Sequence, residues 1–425
     1  MTFDKATRWL TTNTMPTVPF VNRLRVSGFR SFAECDVTFG PLTVLIGRNA
    51  SGKSNLLDAL KFIRDCVESR PLKAVTARGG TDVLFHQANA ETAEALSVEV
   101  YLTLRSSEGD SPSPGPVHAM YGFRLVRDAV RSRQLVAVES EWLEVRTPEH
   151  GTPRGFRREG DTVTPLDGDA PLGPVMSTDQ GLWLGLAAAT DATYAGVLHA
   201  LSTMSLYAPV PARIAEPQRA TSGDTLLPDA SNLGQILGTL ATAHPEVKQR
   251  IDDYLAAIVP GAIGIDERPL DAYSSVQLRM RDDDTADIIR FGADQLSYGT
   301  LRAAGLLAAL FQPDALEGWT SLVCVDEPEL GLHPAAAGVM FDALTEAAKH
   351  VQVIVATQSG DLLDRDEFDP DWVRTVTVVD GATVIEPLGE VARRVLAKGL
   401  DTIGGLMRGD QLTPNEVWPE SGPRP

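Results

Sequence analysis

Eight residues near the start of the chain have the composition and spacing of a phosphate-binding loop. They read GRNASGKS at positions 47–54 and fit the pattern GxxxxGK[ST], with an apolar run before them and a helix-like run after them. Small residues let consecutive backbone N–H groups surround phosphate oxygens, and the following helix N-terminus adds partial positive charge. The segment predicts that the chain binds a nucleoside triphosphate. The alternative is a glycine-rich turn that binds no phosphate.

The pattern assigns different roles to the side chains of Lys53 and Ser54. Lys53 is expected to reach the β- and γ-phosphates and to serve catalysis, and the Ser54 hydroxyl is expected to hold Mg²⁺. The residues expected to contact the nucleotide are Gly47, Arg48, Asn49, Ala50, Ser51, Gly52, Lys53, Ser54 and Asn55.

Two adjacent carboxylates follow a short apolar strand much later in the chain. The segment SLVCVDE at 321–327 ends on Asp326 and Glu327, which would therefore lie at the carboxyl edge of a buried sheet. Asp326 is expected to bind Mg²⁺ through a coordinated water, and Glu327 is expected to orient and deprotonate the attacking water. The alternative is a loop that begins with acidic capping residues.

A shorter segment, LSYG at 296–299, precedes the helical run LRAAGLLAALF. A serine and a glycine at a helix N-terminus form a backbone anion site, so Ser297 and Gly299 are candidate nucleotide contacts. Four letters are not specific by themselves. The position of the segment, one helix and one strand ahead of the carboxylates, gains meaning only through the family resemblance described below.

Composition excludes several classes of protein. The chain has 425 residues, a formal net charge of −19 and three widely separated cysteines, a pattern that indicates neither a disulfide framework nor a zinc site. We expect a soluble, cytoplasmic protein, because the sequence has neither a signal-peptide pattern nor an apolar run long enough to cross a membrane. The acidic balance weakens a DNA-binding hypothesis without excluding it.

One stretch, His118 to Arg158, has more arginines than acidic residues. Its arginines are Arg124, Arg127, Arg131, Arg133, Arg146, Arg154, Arg157 and Arg158. Two interpretations stay open from the sequence. The stretch is either the solvated face of β-strands or a contact surface for nucleic acid or an acidic partner.

The distribution of apolar residues predicts an α/β protein. Alternating short strands occupy much of 19–170, Ala/Leu-rich runs with helical spacing fill 171–290, and strands alternate with helices over 291–390. We expect a flexible arm at 1–18, a P-loop and antiparallel β part at 19–170, and a helical lobe at 171–290. The LSYG segment, the carboxylates and the last core strands would occupy 291–390, followed by a C-terminal helix and tail at 391–425.

These motifs, in this order, resemble the RecF-like branch of ATP-binding-cassette ATPases, which includes RecF, the heads of structural-maintenance-of-chromosomes proteins and the OLD family. The resemblance rests on LRVSGFRSFAECDVTFGPLTVLIGRNASGKSNLLDAL and on VDEPELGLHP. It implies an ATP-binding-cassette-type P-loop NTPase head with an antiparallel β subdomain and a helical lobe.

The resemblance also implies a composite site. Two heads would form a homodimer with ATP and Mg²⁺ between them, so that Ser297 and Gly299 of one subunit face the γ-phosphate held by Lys53 of the other. Gln87 falls in the window of the family's glutamine loop, which senses Mg²⁺; it could equally be a surface polar residue. Gln358 occupies the place of the family's switch histidine and cannot carry a proton charge, so we expect slow hydrolysis without a partner.

Two functions remain open from the sequence. The first is an ATP-driven dimerising clamp or switch in DNA maintenance or anti-phage defence, with double-stranded DNA as a possible partner. The second is a nucleotide-bound regulatory or scaffold subunit with incidental hydrolysis that acts through a separate effector. We expect any nuclease to be a separate chain.

Overall fold

The structure is a computed structural model that describes residues 20–88, 91–104, 115–127, 136–147, 152–168, 173–174, 181–219, 225–282, 285, 287–365 and 368–412. The strands are β1 Phe20–Phe29, β2 Phe32–Thr38, β3 Leu42–Ile46, β4 Gln87–Ala88, β5 Glu91–Thr92, β6 Ala95–Leu104, β7 Val117–Arg127, β8 Val136–Arg146, β9 Arg154–Glu159, β10 Thr162–Pro165, β11 Gly173–Pro174, β12 Met204–Tyr207, β13 Gln218–Arg219, β14 Ala262–Leu270, β15 Tyr273–Arg281, β16 Ile288–Gly292, β17 Leu322–Asp326, β18 Gln352–Thr357, β19 Val373–Val379 and β20 Ala382–Pro387.

The helices are α1 Lys53–Glu68, α2 Pro71–Thr76, α3 Thr81–Leu84, α4 Leu184–Ala188, α5 Ala192–Ser202, α6 Pro211–Ala215, α7 Leu233–Ala243, α8 Pro245–Ile258, α9 Tyr298–Phe311, α10 Pro313–Leu316, α11 Pro334–Ala347, α12 Gly360–Leu363, α13 Glu390–Ala397 and α14 Ile403–Arg408. No helix among the described residues combines the length and the apolar character needed to cross a membrane.

A large antiparallel sheet contains the N-terminal strands in the order β11-β10-β9-β8-β7-β6-β1-β2. Its strands alternate between buried and exposed residues, as in β1, where Leu24 and Val26 are buried and Arg25 lies between them. Alternation of this kind gives a sheet with one face on the core and one face towards solvent. The antiparallel β subdomain of the predicted fold class is present.

A second sheet, ordered β12-β17-β18-β3-β19-β20, holds the candidate chemistry. Its first five strands are parallel, and β20 pairs antiparallel with β19. The strands β3 and β18 are buried at every position. Continuous burial is expected where helices or another layer cover both faces of a parallel sheet.

The two faces of this central sheet belong to different cores. Leu45 and Ile354 pack with α1 and the buried face of the large antiparallel sheet. Val44 and Val355 pack with α9 and α11 on the opposite side. The central sheet is therefore the middle layer of the molecule and fixes the positions of the loops at its carboxyl edge.

The segment 171–290 has helices α4 to α8 but is not purely helical. The predicted helical run 182–204 ends at Met204, where the chain forms β12 beside β17 in the central sheet. Strands β13 to β16 form a separate antiparallel sheet packed on α7 and α8. An apolar run of four residues is compatible with a helix or with a buried strand, and its tertiary neighbours decide between them. The domain boundaries stay a prediction, and the expected arm at 1–18 lies outside the described residues.

Candidate functional site

The segment GRNASGKS connects the end of β3 to the start of α1, as expected for a phosphate-binding loop. Gly52 has φ 107° at the helix N-terminus, and a Cβ atom at this position would collide with the Thr383 side chain. Only glycine fits both the conformation and the space. The loop therefore leads backbone N–H groups into α1, which is the arrangement that accepts an anion.

Lys53 is the first residue of α1, and its side chain turns back over the loop. It is 6% exposed, and its Nζ donates to the carbonyl oxygens of Gly47 at 2.7 Å and Arg48 at 2.9 Å. Burial lowers the pKa of Lys53, while the carboxylates of Asp326, Glu327 and Glu329 oppose that shift. The ammonium group is thus close to three carboxylates and has hydrogen-bond partners that phosphate oxygens could replace.

A clasp of three polar side chains holds the loop from outside the motif. Thr383 of β20 is fully buried; its Oγ1 donates to the Ser51 carbonyl oxygen at 2.8 Å and can accept from the Ser31 hydroxyl, whose Oγ is also 2.8 Å away. The Asn55 side chain donates to Ser31 Oγ, at 2.7 Å. Thr383 is far from the loop in sequence, and nothing in its own segment indicated this role. For Ser31 the only indication was its place in GFRSF, which is part of the N-terminal segment that carries the family resemblance.

Ser51 has a feature that fits a phosphate ligand. Its Oγ is buried and has no hydrogen-bond partner among the described residues. A buried hydroxyl without a partner is uncommon, because leaving one costs about 1–3 kcal/mol. An oxygen acceptor arriving at the loop would satisfy this group.

Ser54 and Asp326 meet at the mouth of the loop. The Ser54 hydroxyl donates to Asp326 Oδ2 at 2.7 Å, although the two residues are 272 positions apart. Hydroxyl and carboxylate oxygens are the hard ligands that Mg²⁺ prefers, together with water and phosphate oxygens. The pair fits Mg²⁺ by its chemistry.

Glu327 follows β17 in an unusual backbone conformation. Its φ of 48° lies in the left-handed region, where residues other than glycine are uncommon and often functional. Its backbone N–H donates to the Ala356 carbonyl at 2.8 Å, and its carboxylate Oε1 accepts a 2.8 Å bond from Gln358 Nε2. The structure therefore brings Gln358 into direct contact with the carboxylate expected to activate water.

Glu329 adds a third acidic group that the sequence analysis did not single out. Its Oε1 accepts from Thr357 Oγ1 at 2.7 Å, whereas its Oε2 is buried without a partner. Burial raises the pKa of the Glu329 carboxyl, while the bonds from Thr357 and from the backbone of Gln358 oppose the shift. Glu329 thus ties the loop after β17 to the loop that holds Gln358. In the sequence, the only indication of this third acidic group was its position in the segment DEPE, two residues after Glu327.

Arg302 of α9 connects the signature helix to the same carboxylate loop. Its guanidinium donates to the backbone oxygens of Asp326 at 2.8 Å and Glu327 at 3.2 Å. Burial lowers the pKa of Arg302, opposed by the three nearby carboxylates. A movement of α9 would therefore be transmitted directly to the loop of Glu327.

The signature residues lie at the start of α9. Ser297 is the N-cap, and its Oγ accepts from the Thr300 backbone N–H at 3.1 Å. Gly299 packs against the backbone of Gly331, where a Cβ atom would collide with the Gly331 carbonyl oxygen. No described hydrogen bond joins Ser297 or Gly299 to the phosphate loop of the same chain, and the adjacent Tyr298 is 70% exposed.

Gln87 is not joined to this constellation. It is exposed in β4, and its side-chain Nε2 donates to the backbone oxygen of Asp82. Within the described part of the chain, no hydrogen bond links Gln87 to Ser54 or Asp326. Its expected role at the metal stays a prediction.

The arginine-rich stretch 118–158 is largely paired with acidic residues. The described pairs are Arg124–Glu139, Arg127–Asp82, Arg146–Glu144, Arg154–Asp191 and the buried pair Arg158–Glu141. These contacts favour the interpretation of the stretch as a solvated sheet face. Arg131 and Arg133 lie outside the described residues.

Comparisons with known proteins agree with this geometry. Residues 20–129 match the family described as "RecF/RecN/SMC N terminal domain", and residues 227–365 match the family described as "AAA domain, putative AbiEii toxin, Type IV TA system". The chromosome partition protein Smc of Mycoplasma pneumoniae is 35% identical over 99 residues, which are 23% of this chain and 10% of that protein. The DNA replication and repair protein RecF of Thermosynechococcus vestitus is 31% identical over 135 residues, which are 32% of this chain and 34% of that protein.

The fold comparison covers more of the chain. A crystal structure of an Smc head bound to the C-winged helix domain of ScpA superimposes with a TM-score of 0.51 at 15% identity, covering 88% of this chain and 99% of that chain. At that identity the likeness shows the fold alone.

The chain has the fold of an ATP-binding-cassette-type P-loop NTPase head, which confirms the predicted fold class. In sequence, two separate segments of the chain are similar to RecF/SMC-like and AAA-type ATPases. The matched regions cover about a third or less of the sequence relatives described above.

Proposed function

We propose that this chain is a Mg²⁺-dependent ATPase whose heads pair in an ATP-dependent homodimer and act as a clamp or switch on DNA. The observation that carries the proposal is the meeting of the phosphate loop with the carboxylate edge, where Ser54 contacts Asp326 and Lys53 lies near both acids. The names of the Smc and RecF relatives support a role in DNA maintenance, and the description "putative AbiEii toxin, Type IV TA system" supports a role in defence.

The chemistry follows from the positions of the side chains. Lys53 would exchange its bonds to two loop carbonyls for bonds to phosphate oxygens, and Ser51 Oγ would gain an acceptor. Ser54 and Asp326 would hold Mg²⁺, which would neutralise charge on the transferred phosphoryl group. Glu327 would accept the proton of the attacking water, with Gln358 orienting that water or the carboxylate.

A dimer is favoured by the location of the signature residues. Ser297 and Gly299 have no described contact with the phosphate loop of their own chain, and the helix end that carries them presents an exposed Tyr298. The N-terminus of α9 is suited to a γ-phosphate held by a second head. ATP binding would then favour the closed dimer through that added contact, and hydrolysis would remove it.

A second candidate function rests on Gln358. Its amide occupies one oxygen of Glu327, and a glutamine cannot transfer a proton as a histidine can. A head of this kind could bind ATP and form a dimer that dissociates slowly. It would then act as a regulatory or scaffold subunit for a separate effector protein.

The test uses Glu327→Gln in the full chain. Loss of the carboxylate should lower the ATP hydrolysis rate at least about 100-fold, because a general base contributes roughly 10²–10⁴. ATP binding should persist, and light scattering should detect an ATP-dependent dimer. Hydrolysis at an unchanged rate in this variant would contradict the catalytic assignment and leave the scaffold function as the better account.

Lys53→Ala provides the matched control for the binding step. Charge-assisted hydrogen bonds contribute about 1.5–3 kcal/mol each, so ATP should bind roughly 10- to 100-fold more weakly. No dimer should then form at ATP concentrations that close the Glu327→Gln variant. Dimerisation of both variants without ATP would show that nucleotide does not control assembly.

A further inference from the structure

The histidine of the segment GLHP has no role in the proposed hydrolysis so far. His333 is the one histidine in the four segments that form the candidate site, 47–55, 296–302, 326–333 and 357–359. Its side chain is exposed, and its Nδ1 accepts a hydrogen bond from the Ala335 backbone N–H at 3.3 Å. The neutral ring therefore carries its proton on Nε2. Among the described residues, none accepts a hydrogen bond from that Nε2.

Local structure holds His333 at the end of the carboxylate loop, residues 327–333. A proline restricts the residue before it to extended backbone, so Pro334 favours the observed φ of −67° and ψ of 145° at His333, the N-cap of α11. Inside the loop, the Leu330 N–H donates to the Glu327 carbonyl oxygen at 3.1 Å. The imidazole is therefore carried by a compact turn that begins at the proposed catalytic carboxylate.

The same loop lies against the signature end of α9. Gly331 has φ 81°, and a Cβ atom at Gly299 would come within 2.1 Å of the Gly331 carbonyl oxygen. The two backbones are thus in direct contact, and His333 follows two residues later. Tyr298 and Leu330, which are 70% and 55% exposed, adjoin this contact. His333 is therefore close to the helix end that the proposed dimer directs at the γ-phosphate of the second head.

The two ends of the carboxylate loop have different partners. At its start, the Glu327 carboxylate accepts a hydrogen bond from Gln358 of the same chain. At its end, no described hydrogen bond or ion pair joins His333 to Ser54, Asp326 or Glu327. The imidazole is thus not tied to the nucleotide site of its own head, and a second copy of the chain is the partner that would bring a phosphate acceptor to it.

We propose that His333 is a catalytic residue supplied in trans, whose Nε2–H donates to a γ-phosphate oxygen of the ATP held by the partner head. In a two-fold symmetric dimer each carboxylate loop would then serve both sites. Its Glu327 would act on the nucleotide of its own head, and its His333 would act on the nucleotide of the other. An imidazole would thereby reach a site that has Gln358 in cis. The inference rests on the proposed ATP-dependent homodimer.

The test needs a variant that keeps the helix cap. Asparagine is among the best N-cap residues, so His333→Asn retains an acceptor for the Ala335 N–H while it removes the imidazole. His350→Asn is the matched control, because His350 is exposed just beyond the opposite end of α11. Thermal unfolding of both variants should match that of the unmodified chain.

The first measurement is steady-state hydrolysis. His333→Asn should lower kcat about 100-fold, since removing one donor aimed at transition-state charge costs roughly 10²–10³. ATP should bind the separated heads within about twofold of the unmodified affinity, because the residue contacts only the partner's nucleotide. His350→Asn should change neither quantity. An unchanged kcat in His333→Asn would overturn the inference.

Mixed dimers test whether the residue acts in trans. His333→Asn keeps Glu327, and Glu327→Gln keeps His333, so each variant alone should hydrolyse ATP slowly. The two chains are mixed in equal amounts before ATP is added, and phosphate release is followed over a single turnover. Random pairing makes about half of the dimers mixed, with one complete site in each, so about a quarter of the bound ATP should be hydrolysed at the unmodified rate.

Three further results would overturn the inference. No rescue in the mixture, although light scattering shows ATP-dependent dimers of both variants, would place His333 in the site of its own head. A fall in kcat that parallels a loss of thermal stability in His333→Asn would assign it a structural role as a helix cap. In either case the ATP-dependent dimer would stand. An unmodified chain that hydrolyses ATP as a monomer would contradict both the inference and the proposed dimer.

Discussion

The two halves of the nucleotide site are built differently. The phosphate loop is held by a hydrogen bond from the buried Thr383 of another strand, which Ser31 and Asn55 support, with glycine where the backbone requires it. The carboxylate half depends on a left-handed Glu327 and on an exposed Gln358 that bonds to it. The comparison teaches that the phosphate loop is fixed by a buried hydrogen bond, whereas the residues proposed for hydrolysis lie on two loops joined by an exposed one.

Replacing Gln358 by histidine tests the hydrolytic half most strongly. Histidine can carry a proton and a positive charge near the γ-phosphate, whereas glutamine cannot. Gln358→His should raise the ATP hydrolysis rate about tenfold, within the range of a positioned acid or base. ATP affinity should change little. Turnover is measured by phosphate release over pH 5.5 to 8.5.

Gln358→Asn is the matched control, because it keeps the amide but shortens its reach to Glu327. It should not raise the rate. A histidine variant no faster than the unmodified chain would show that Gln358 does not limit hydrolysis. The difference between the phosphate-loop half and the carboxylate half of the site would then need another explanation.

Replacing Thr383 by valine tests the binding half. The substitution keeps the shape but leaves the buried Ser51 carbonyl without this donor, at a cost of about 1–2 kcal/mol. Thr383→Val should lower the free energy of unfolding by that amount and weaken ATP binding several-fold, with kcat nearly unchanged. Urea unfolding and titration with ATP measure the two effects.

Thr377→Val on neighbouring β19 controls for the change of side chain. The Thr377 hydroxyl is buried without a hydrogen-bond partner, so its removal should not destabilise the protein. Equal destabilisation by both substitutions would show that the Thr383 clasp has no special role.

The smallest expected effect concerns Glu329. Burial raises the pKa of its carboxyl above the ordinary 4.5, so the folded state binds this proton more tightly than the unfolded state. Its contribution to stability is therefore fully present below pH 4.5 and is lost as pH rises through the folded pKa. Glu329→Gln should remove this part of the pH dependence and raise the free energy of unfolding at pH 7 by less than about 1 kcal/mol.

Urea unfolding from pH 4 to pH 8 measures that difference, with the exposed Glu317→Gln as the control. A Glu329→Gln variant that is less stable than the unmodified chain at pH 7 would contradict the prediction. It would mean that the ionised carboxylate stabilises the link to Thr357 by more than its burial costs.

The arginines show that the sequence alone does not predict which of them lie on one surface. The stretch 118–158 drew attention because its arginines are close in sequence, yet the register of β7 with β8 places Arg124 near Glu139. The arginines of the small sheet, β13–β16, are scattered over some seventy positions and gave no local signal. Strand pairing alone brings them onto one face. Local composition therefore drew attention to arginines that are mostly paired and missed the exposed arginines of the small sheet.

The sequence by itself determined the phosphate loop, the acidic pair after an apolar strand and the α/β class, because each of these depends on neighbours along the chain. The tertiary structure decided what lies far apart in sequence. It joined Ser54 to Asp326, Thr383 to Ser51 and Arg302 to the Glu327 loop. It also made a strand of Met204–Tyr207 beside β17. Such contacts form only when the layers pack, so a local pattern cannot predict them.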